Sequence, residues 1–412
     1  MTETGIILTI IWGIFFLHCK SIRAIRTSKI MFLMLLCMII PNLIGAEFLE
    51  FFDITINYFD TLIFGFLIVS SLIPWINFDK YISKSNKYVL HCTPSNLHKI
   101  KLISIFLILS SLYSIAYLAP FAYIGLTMDS IQVRAMLSEG GSILPANIFT
   151  TISIGLSAFN IYCILFFYIA FCFNELKRYR LFLFISSLSN VVSATTFAGR
   201  DQFVVVILFF CIFYIALSPF FLKSIQKKVK RVIIIALIAA GSVMSIFTVA
   251  RFYSKSYTND TDYLLVGTLG YIAEQPLVFN SYIEKEHTFI GIKKAFPLID
   301  NILELPSKER ETKQPFNWQF GTMYASFFTM YGWSSLIIMA LVYWSFYTYG
   351  IKYLIRQNKF FNVLLFFCVY LYIEITGIFY LKAVGTILIN LFYMTLSIAP
   401  LFMRNMIDLV KK

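Results

Sequence analysis

The chain has 412 residues, of which 59% are hydrophobic and only 13% charged, with a mean hydropathy of +0.78. Soluble domains carry about a quarter charged residues, so this composition excludes a soluble domain and indicates a polytopic, all-α membrane protein. A net charge of +13 invites comparison with nucleic-acid binders, but its distribution along the chain reads as membrane topology instead.

Apolar runs of about 20 residues, the length that crosses a hydrocarbon core of roughly 30 Å, predict eleven transmembrane helices. In chain order they fall at about Gly5–Cys19, Ile30–Gly45, Thr61–Ile76, Leu102–Ile124, Ile148–Phe173, Leu181–Phe197, Phe203–Leu222, Val232–Val249, Trp333–Ile351, Phe360–Tyr380 and Val384–Met403. The first run follows an acid, Glu3, and lacks a small-residue cleavage site, so it is read as a retained span rather than a signal peptide.

Alternate connections are strongly basic: KSIRAIRTSK, the Asp79–Lys101 loop, KRYR, KSIQKKVKR, the Lys352–Lys359 turn and the C-terminal tail. Together they hold 23 of the 34 Lys and Arg against three acids, Asp79, Glu175 and Asp408. The opposite side has 11 basic residues and 17 acids, and Glu374 lies in a span. The excess of Lys and Arg in cytoplasmic loops then places the N-terminus outside and the C-terminus in the cytoplasm. All seven cysteines fall in spans or on the basic side, and no CxxC suggests a metal or redox site.

Three outer connections exceed a minimal turn. Ala46–Asp60 is acidic, and Gly125–Asn147 reads GLTMDSIQVRAMLSEGGSILPAN. Residues 250–332 form the one segment long enough for a small outer subdomain within a single transmembrane domain, 1–412. This loop holds two helix-like pieces, DYLLVGTLGYIAEQPLVFNSYIEK and HTFIGIKKAFPLIDNILEL, then polar PSKERETKQPFNWQ, then FGTMYASFFTMYG. The last piece is too short to span and is expected at the interface or as a re-entrant segment.

The positive-inside bias should clear arginine from the outer side, yet Arg134, Arg200, Arg251 and Arg310 are there. Arg134 lies between spans four and five, Arg200 at the mouth of spans six and seven, and Arg251 directly after span eight. Three membrane-surface arginines from three hairpins can converge on one cavity. Their planar forks suit a diphosphate, and an outer-leaflet site suggests a lipid diphosphate. Each also has a plain structural reading. Arg200 with Asp201 fits a polar inter-helix turn, Arg251 a snorkelling helix end, and Arg134 and Arg310 solvated loop charges. Asp260 and Asp262 form a DTD that resembles a metal-binding pair of nucleotide-sugar transferases, a weak signal in a polar outer loop. Glu374, near Lys382, is an intramembrane acid and so either functional or part of a bundle salt bridge. There is no HExxH, P-loop or G-x-G-x-x-G.

Several of these stretches resemble one family. The span pattern, GTLGYIAEQPLVFN followed by HTFIGIKKAFPLI, the run PFNWQFGTMYASFFTMYGW and the AGRDQF turn are similar to bacterial O-antigen or oligosaccharide repeat-unit polymerases, the Wzy family. The chain departs from that family where an acid precedes Gly-Trp; Met330 and Tyr331 stand there instead. The resemblance implies a membrane glycosyltransferase bundle of the GT-C-like kind. It implies a polysaccharide polymerase at the periplasmic face of the inner membrane, joining undecaprenyl-diphosphate-linked glycan donor and acceptor and releasing undecaprenyl diphosphate. Arg134, Arg200 and Arg251 would hold diphosphate, with no metal and no cofactor. A chain-length regulator is a conceivable partner; nucleic acid is not expected. The acceptor hydroxyl needs a base, and Glu274, Asp201 and His287 are the outer candidates. An O-antigen ligase of the same fold and a non-enzymatic lipid-linked oligosaccharide flippase are the rival readings.

Overall fold

The structure, a computed structural model, describes residues 3–44, 57–85, 87–128, 142–197, 201–235, 275–284, 322–378 and 393–411, and the single positions 136, 199 and 238. Among these, six helices are long and apolar enough to cross a membrane: Glu3–Ser21, Tyr58–Ser85, Pro94–Gly125, Gln202–Phe220, Trp333–Arg356 and Phe360–Ile378. The pair Ile148–Ser157 and Asn160–Cys172, bent by 41°, makes a seventh if it is one span. The protein is thus a multi-pass helical membrane protein.

The helices are α1 (Glu3–Ser21), α2 (Ser28–Ile44), α3 (Tyr58–Ser71), α4 (Ile73–Ser85), α5 (Pro94–Thr127), α6 (Ile148–Ser157), α7 (Asn160–Cys172), α8 (Arg180–Ser186), α9 (Ser189–Thr195), α10 (Asp201–Leu217), α11 (Gln275–Glu284), α12 (Thr322–Tyr331), α13 (Trp333–Arg356), α14 (Phe360–Ile373) and α15 (Ile398–Phe402). A π-helical turn, Glu374–Ile378, continues α14. Of the eleven expected spans, the sixth is realised as two seven-residue helices, α8 and α9. Of the eighth, only 232–235 and position 238 are described, helical and following a helix that starts at 223 in the basic connection, and the last is described as an apolar helix at Tyr393–Phe402.

The two broken spans share a cause. Ser157 Oγ donates to the Ile154 carbonyl at 2.6 Å and Ser187 Oγ to the Phe184 carbonyl at 2.6 Å. Such back-bonding from serine competes with the helix ladder and bends it. The breaks also face each other: Ser189 Oγ donates to the Ser157 carbonyl at 2.9 Å, and Ser157 Oγ lies 3.5 Å from Asn190 Oδ1. Without water in a bilayer, an opened turn needs an internal partner, and each hairpin supplies one to the other.

A small departure from an all-α fold is a two-stranded antiparallel ribbon. β1 (Tyr88–His91) pairs with β2 (Asp408–Lys411) in the register Tyr88↔Lys411 to His91↔Asp408.

The chain divides into two units. Unit one comprises Met1–Ser83, Tyr257–Gln357 and Val369–Met403; unit two comprises Lys84–Ser256, Asn358–Cys368 and Arg404–Lys412. Within unit two, α7, α10 and the first part of α14 share an aromatic core: Tyr168 with Phe210, Phe166 with Phe361, and Phe213 with Phe367. Tyr168 donates its hydroxyl to the Phe210 carbonyl at 2.7 Å. α5 approaches α9 so closely that a Cβ on Gly125 would lie 2.5 Å from the Thr195 carbonyl oxygen; only a glycine fits there.

Within each unit the described contacts join helix ends that the charge pattern groups on one side. In unit one, Tyr58 bonds Glu3, and Asn57 bonds Asn280, all expected outside. In unit two, the ribbon joins the Asp79–Lys101 loop to the C-terminal tail, and Phe361 N–H donates to Asn405 at 3.0 Å, all on the basic side. Cys92, beside the ribbon, has its thiol pushed up from the ordinary value by burial and further by the Asp408 and Glu175 carboxylates.

The connection between α1 and α2 is held by one residue. Asp79, fully buried, accepts from Arg26 N–H at 2.7 Å, Thr27 N–H at 2.9 Å, Thr27 Oγ1 at 3.1 Å and Ser28 Oγ at 2.9 Å. Trp75 Nε1 completes the cluster by donating to Thr27 Oγ1 at 3.0 Å. The carboxylate thereby serves the donors exposed at the start of α2. Burial lowers the Arg26 pKa from its ordinary value, and Asp79 opposes that shift. Asp79→Ala strands these donors and should cost about 2 kcal/mol or more. Asp79→Asn, which turns an amide N–H toward other donors, should be no better. Thermal unfolding of the detergent-solubilised protein measures this, and unchanged midpoints for both variants would contradict it.

Candidate functional site

Most of the residues singled out by sequence lie outside the described residues: Arg134, Arg200, Arg251, Glu274 and His287, and with them Arg310, Asp260, Asp262 and Lys382. Asp201 is the first residue of α10. Its neighbour Gln202 is buried and accepts from Asn190 Nδ2 at 2.8 Å. The start of α10 is therefore tied, through Gln202, to the paired helix breaks of unit two. Among the described residues no three His, Cys, Asp or Glu side chains form a group that could hold a metal.

Two pieces of the long loop are described, and both fold as short helices within unit one. α11 carries LVFN of the first resembling stretch. Asn280, fully buried, accepts from Asn57 N–H at 3.1 Å and donates to Thr61 Oγ1 at 2.8 Å. Asn57 in turn caps α3 by accepting from Phe59 N–H. One amide thus ties α11 to the N-terminal end of α3, and Phe279 packs on Phe64 with ring centroids 5.0 Å apart.

α12 is the FGTMYASFFTMYG piece. Its residues Thr322 to Phe328 are buried, so it is a packed helix of about 15 Å rather than one lying exposed at an interface. It is turned sharply at both ends, with φ of 64° at Thr322 and 70° at Gly332. A β-branched residue in the left-handed region costs about 1–3 kcal/mol and persists only where its surroundings hold it. Thr322 Oγ1 accepts from Tyr324 N–H at 3.3 Å. Met330 is buried and Tyr331 is exposed, so neither restores the acid that the resembling family carries there.

Beneath α12 lies the buried acid. Glu374 heads the π turn and is fully buried. Tyr343 of α13 donates to Glu374 Oε1 at 2.6 Å, and Ser71 of α3 lies 3.3 Å from Oε2. Among the described residues no Lys or Arg pairs with it. The salt-bridge reading depended on Lys382, which lies outside the described residues. At about 1.5 Å per residue, Glu374 is about 21 Å along its helix from Phe360, and Tyr343 about 15 Å from Trp333. Both residues lie within helices long and apolar enough to cross a membrane.

Three more tyrosines surround it. Tyr324 of α12 donates to the Leu67 carbonyl at 3.1 Å and interacts electrostatically with Glu374. Tyr370 donates to the Ser71 carbonyl at 2.8 Å, and Tyr347 exchanges a bond with Ser397 at 3.0 Å. The rings of Tyr343 and Tyr347 are 5.0 Å apart, and those of Tyr347 and Tyr370 5.3 Å. Buried phenols need hydrogen-bond partners, and here they take the carbonyls of α3 and the carboxylate. The sequence flagged Glu374 but not Tyr343 or Ser71. The available signal was a set of tyrosines placed in spans rather than at span ends.

Asn280→Ala should release α11 from α3, leaving Thr61 and the Asn57 amide without this partner at a cost of about 1–3 kcal/mol. Proteolysis within residues 250–332 of the protein in lipid should become several times faster; an unchanged cleavage rate would remove Asn280 as the tether. No protein-family model, curated protein or solved structure matches the chain.

Proposed function

We propose that the chain is a membrane glycosyltransferase that joins undecaprenyl-diphosphate-linked oligosaccharide repeat units, with its N-terminus and long loop at the periplasmic face of a bacterial inner membrane. One observation supports this most. The described pieces of the long loop are not an appended domain but helices docked into a membrane unit, α11 on α3 and α12 against the Glu374 turn. These same pieces carry the resemblance to repeat-unit polymerases. A loop seated on the bundle suits an enzyme whose substrates are lipid-anchored.

In this reading the acceptor sugar's O–H bond breaks and its oxygen bonds the donor's anomeric carbon. The bond from that carbon to the diphosphate breaks, its electron pair leaving on undecaprenyl diphosphate. Arg134, Arg200 and Arg251 stabilise that developing charge, and Glu274, Asp201 or His287 takes the proton. A second reading, translocation of lipid-linked oligosaccharide, gains from Glu374, since a mid-membrane acid is common in transport pathways.

A deletion strain separates the readings. Loss of a polymerase leaves lipopolysaccharide capped with a single repeat, loss of a ligase leaves none capped, and loss of a flippase leaves repeats unexported. Only the first outcome agrees with the proposal. In the complemented strain, Arg200→Ala and Arg251→Ala should each abolish the polymer ladder at normal expression, with lysine restoring little because a point charge lacks the bidentate fork. A full ladder from the double alanine variant would refute diphosphate binding there. Reporter fusions should read Glu284 as periplasmic and Lys228 and Lys412 as cytoplasmic.

A further inference from the structure

Glu374 has a proton balance that its surroundings leave open. A carboxylate buried in hydrocarbon is costly unless it is paired and fully hydrogen-bonded. Among the described residues its partners are neutral hydroxyls: Tyr343 on Oε1 at 2.6 Å and Ser71 on Oε2 at 3.3 Å.

A serine hydroxyl has one hydrogen. Ser71 Oγ also reaches the Ile68 carbonyl, at the shorter distance of 2.8 Å. If the Ser71 hydrogen goes to the Ile68 carbonyl, or to the Tyr324 hydroxyl that Ser71 also meets, the contact with Oε2 is a bond only when Glu374 is protonated and donates to Ser71 Oγ. If Ser71 turns its hydrogen to Oε2, the ionised carboxylate is satisfied and Ile68 keeps its ordinary helix bond from Leu72 N–H at 3.2 Å. Rotation of one hydroxyl therefore accommodates both protonation states without moving a heavy atom. Tyr343 can donate to Oε1 in either state.

The other titratable groups around Glu374 are Tyr324 on α12, Tyr347 on α13 and Tyr370 on α14. Tyr324 and Tyr370 direct their hydrogens to the Leu67 and Ser71 carbonyls, and Tyr347 bonds Ser397. No cation among the described residues fixes the carboxylate in its ionised form. The π turn adds a further mark, because such turns are frequent at functional positions.

We propose that Glu374 is a membrane-embedded proton-binding site, with Ser71 as the switching partner and Tyr343 as the fixed donor. The proton joins one carboxyl oxygen and is returned to the aqueous phase on release; no other bond changes. This site goes beyond the glycosyltransferase reading, since it requires no glycan chemistry and lies on α3, α13 and α14 rather than at the outer arginines.

The test uses the full chain in lipid nanodiscs and infrared difference spectra between acidic and alkaline buffer. A protonated-carboxyl band from the membrane interior should appear on acidification, vanish in Glu374→Gln, and move in frequency in Tyr343→Phe, where the carbonyl loses its donor. Ser71→Ala should move it as well. The proposal is overturned if Glu374→Gln leaves the band unchanged, or if the band does not respond to pH. Should Glu374→Gln fail to fold, Tyr343→Phe, which keeps the ring, decides: a band at the unaltered frequency overturns the assignment. Deletion-strain phenotypes play no part in this readout, so the proton site and the polymerase reading can fail separately.

Discussion

In a bilayer there is no water to satisfy a polar atom, and this constraint runs through the whole molecule. Each polar group that the sequence puts into an apolar span must find its partner inside the protein. Asp79 does so by gathering the amides and hydroxyls at the start of α2. Tyr324 and Tyr370 do so by donating to carbonyls of α3. The serines of the broken spans do so by bonding backbone carbonyls, Ser157 that of Ile154 and Ser189 that of Ser157. These are the contacts that fix which helices lie side by side, because hydrocarbon packing alone discriminates weakly between one apolar face and another.

The two units use this constraint differently. Unit two places uncharged hydroxyls and amides at its helix breaks, where Ser157, Ser189, Asn190 and Gln202 connect three helical segments. Small side chains there also allow close approach, as at Gly125 against Thr195. Unit one instead encloses an acid in a ring of phenols. Neutral hydrogen bonds at helix breaks suit a rigid scaffold, whereas a titratable group among hydroxyls suits a proton that comes and goes. The segments closest to the acid include α12, which belongs to the long 250–332 connection, so that connection and the buried acid are joined structurally at Tyr324.

This arrangement bears on how a lipid-linked substrate would meet the protein. In the proposed reading the diphosphate of such a substrate would meet Arg134, Arg200 and Arg251, while its polyprenyl tail would remain in the bilayer. Of the long loop, α11 is seated on α3 through Asn280 and Phe279.

By itself the sequence determined the class of the protein, a multi-pass helical membrane protein, and set the expectation of eleven spans with their ends grouped by charge. Hydropathy and charge bias are one-dimensional signals, and a run of about 20 apolar residues has few alternatives to a membrane helix. It also marked Glu374, because an acid in an apolar run stands out without any knowledge of neighbours. Only the tertiary structure decided that the fifth and sixth predicted spans are broken, since a serine that bends a helix by bonding its own carbonyl looks the same in a hydropathy profile as one that does not. The same holds for the pairing of Tyr88–His91 with Asp408–Lys411 and for the companions of Glu374. Ser71, Tyr324, Tyr343 and Tyr370 are separated by up to about 300 residues in the chain. Such a cluster is set by the packing of α3, α12, α13 and α14, and no local pattern records it.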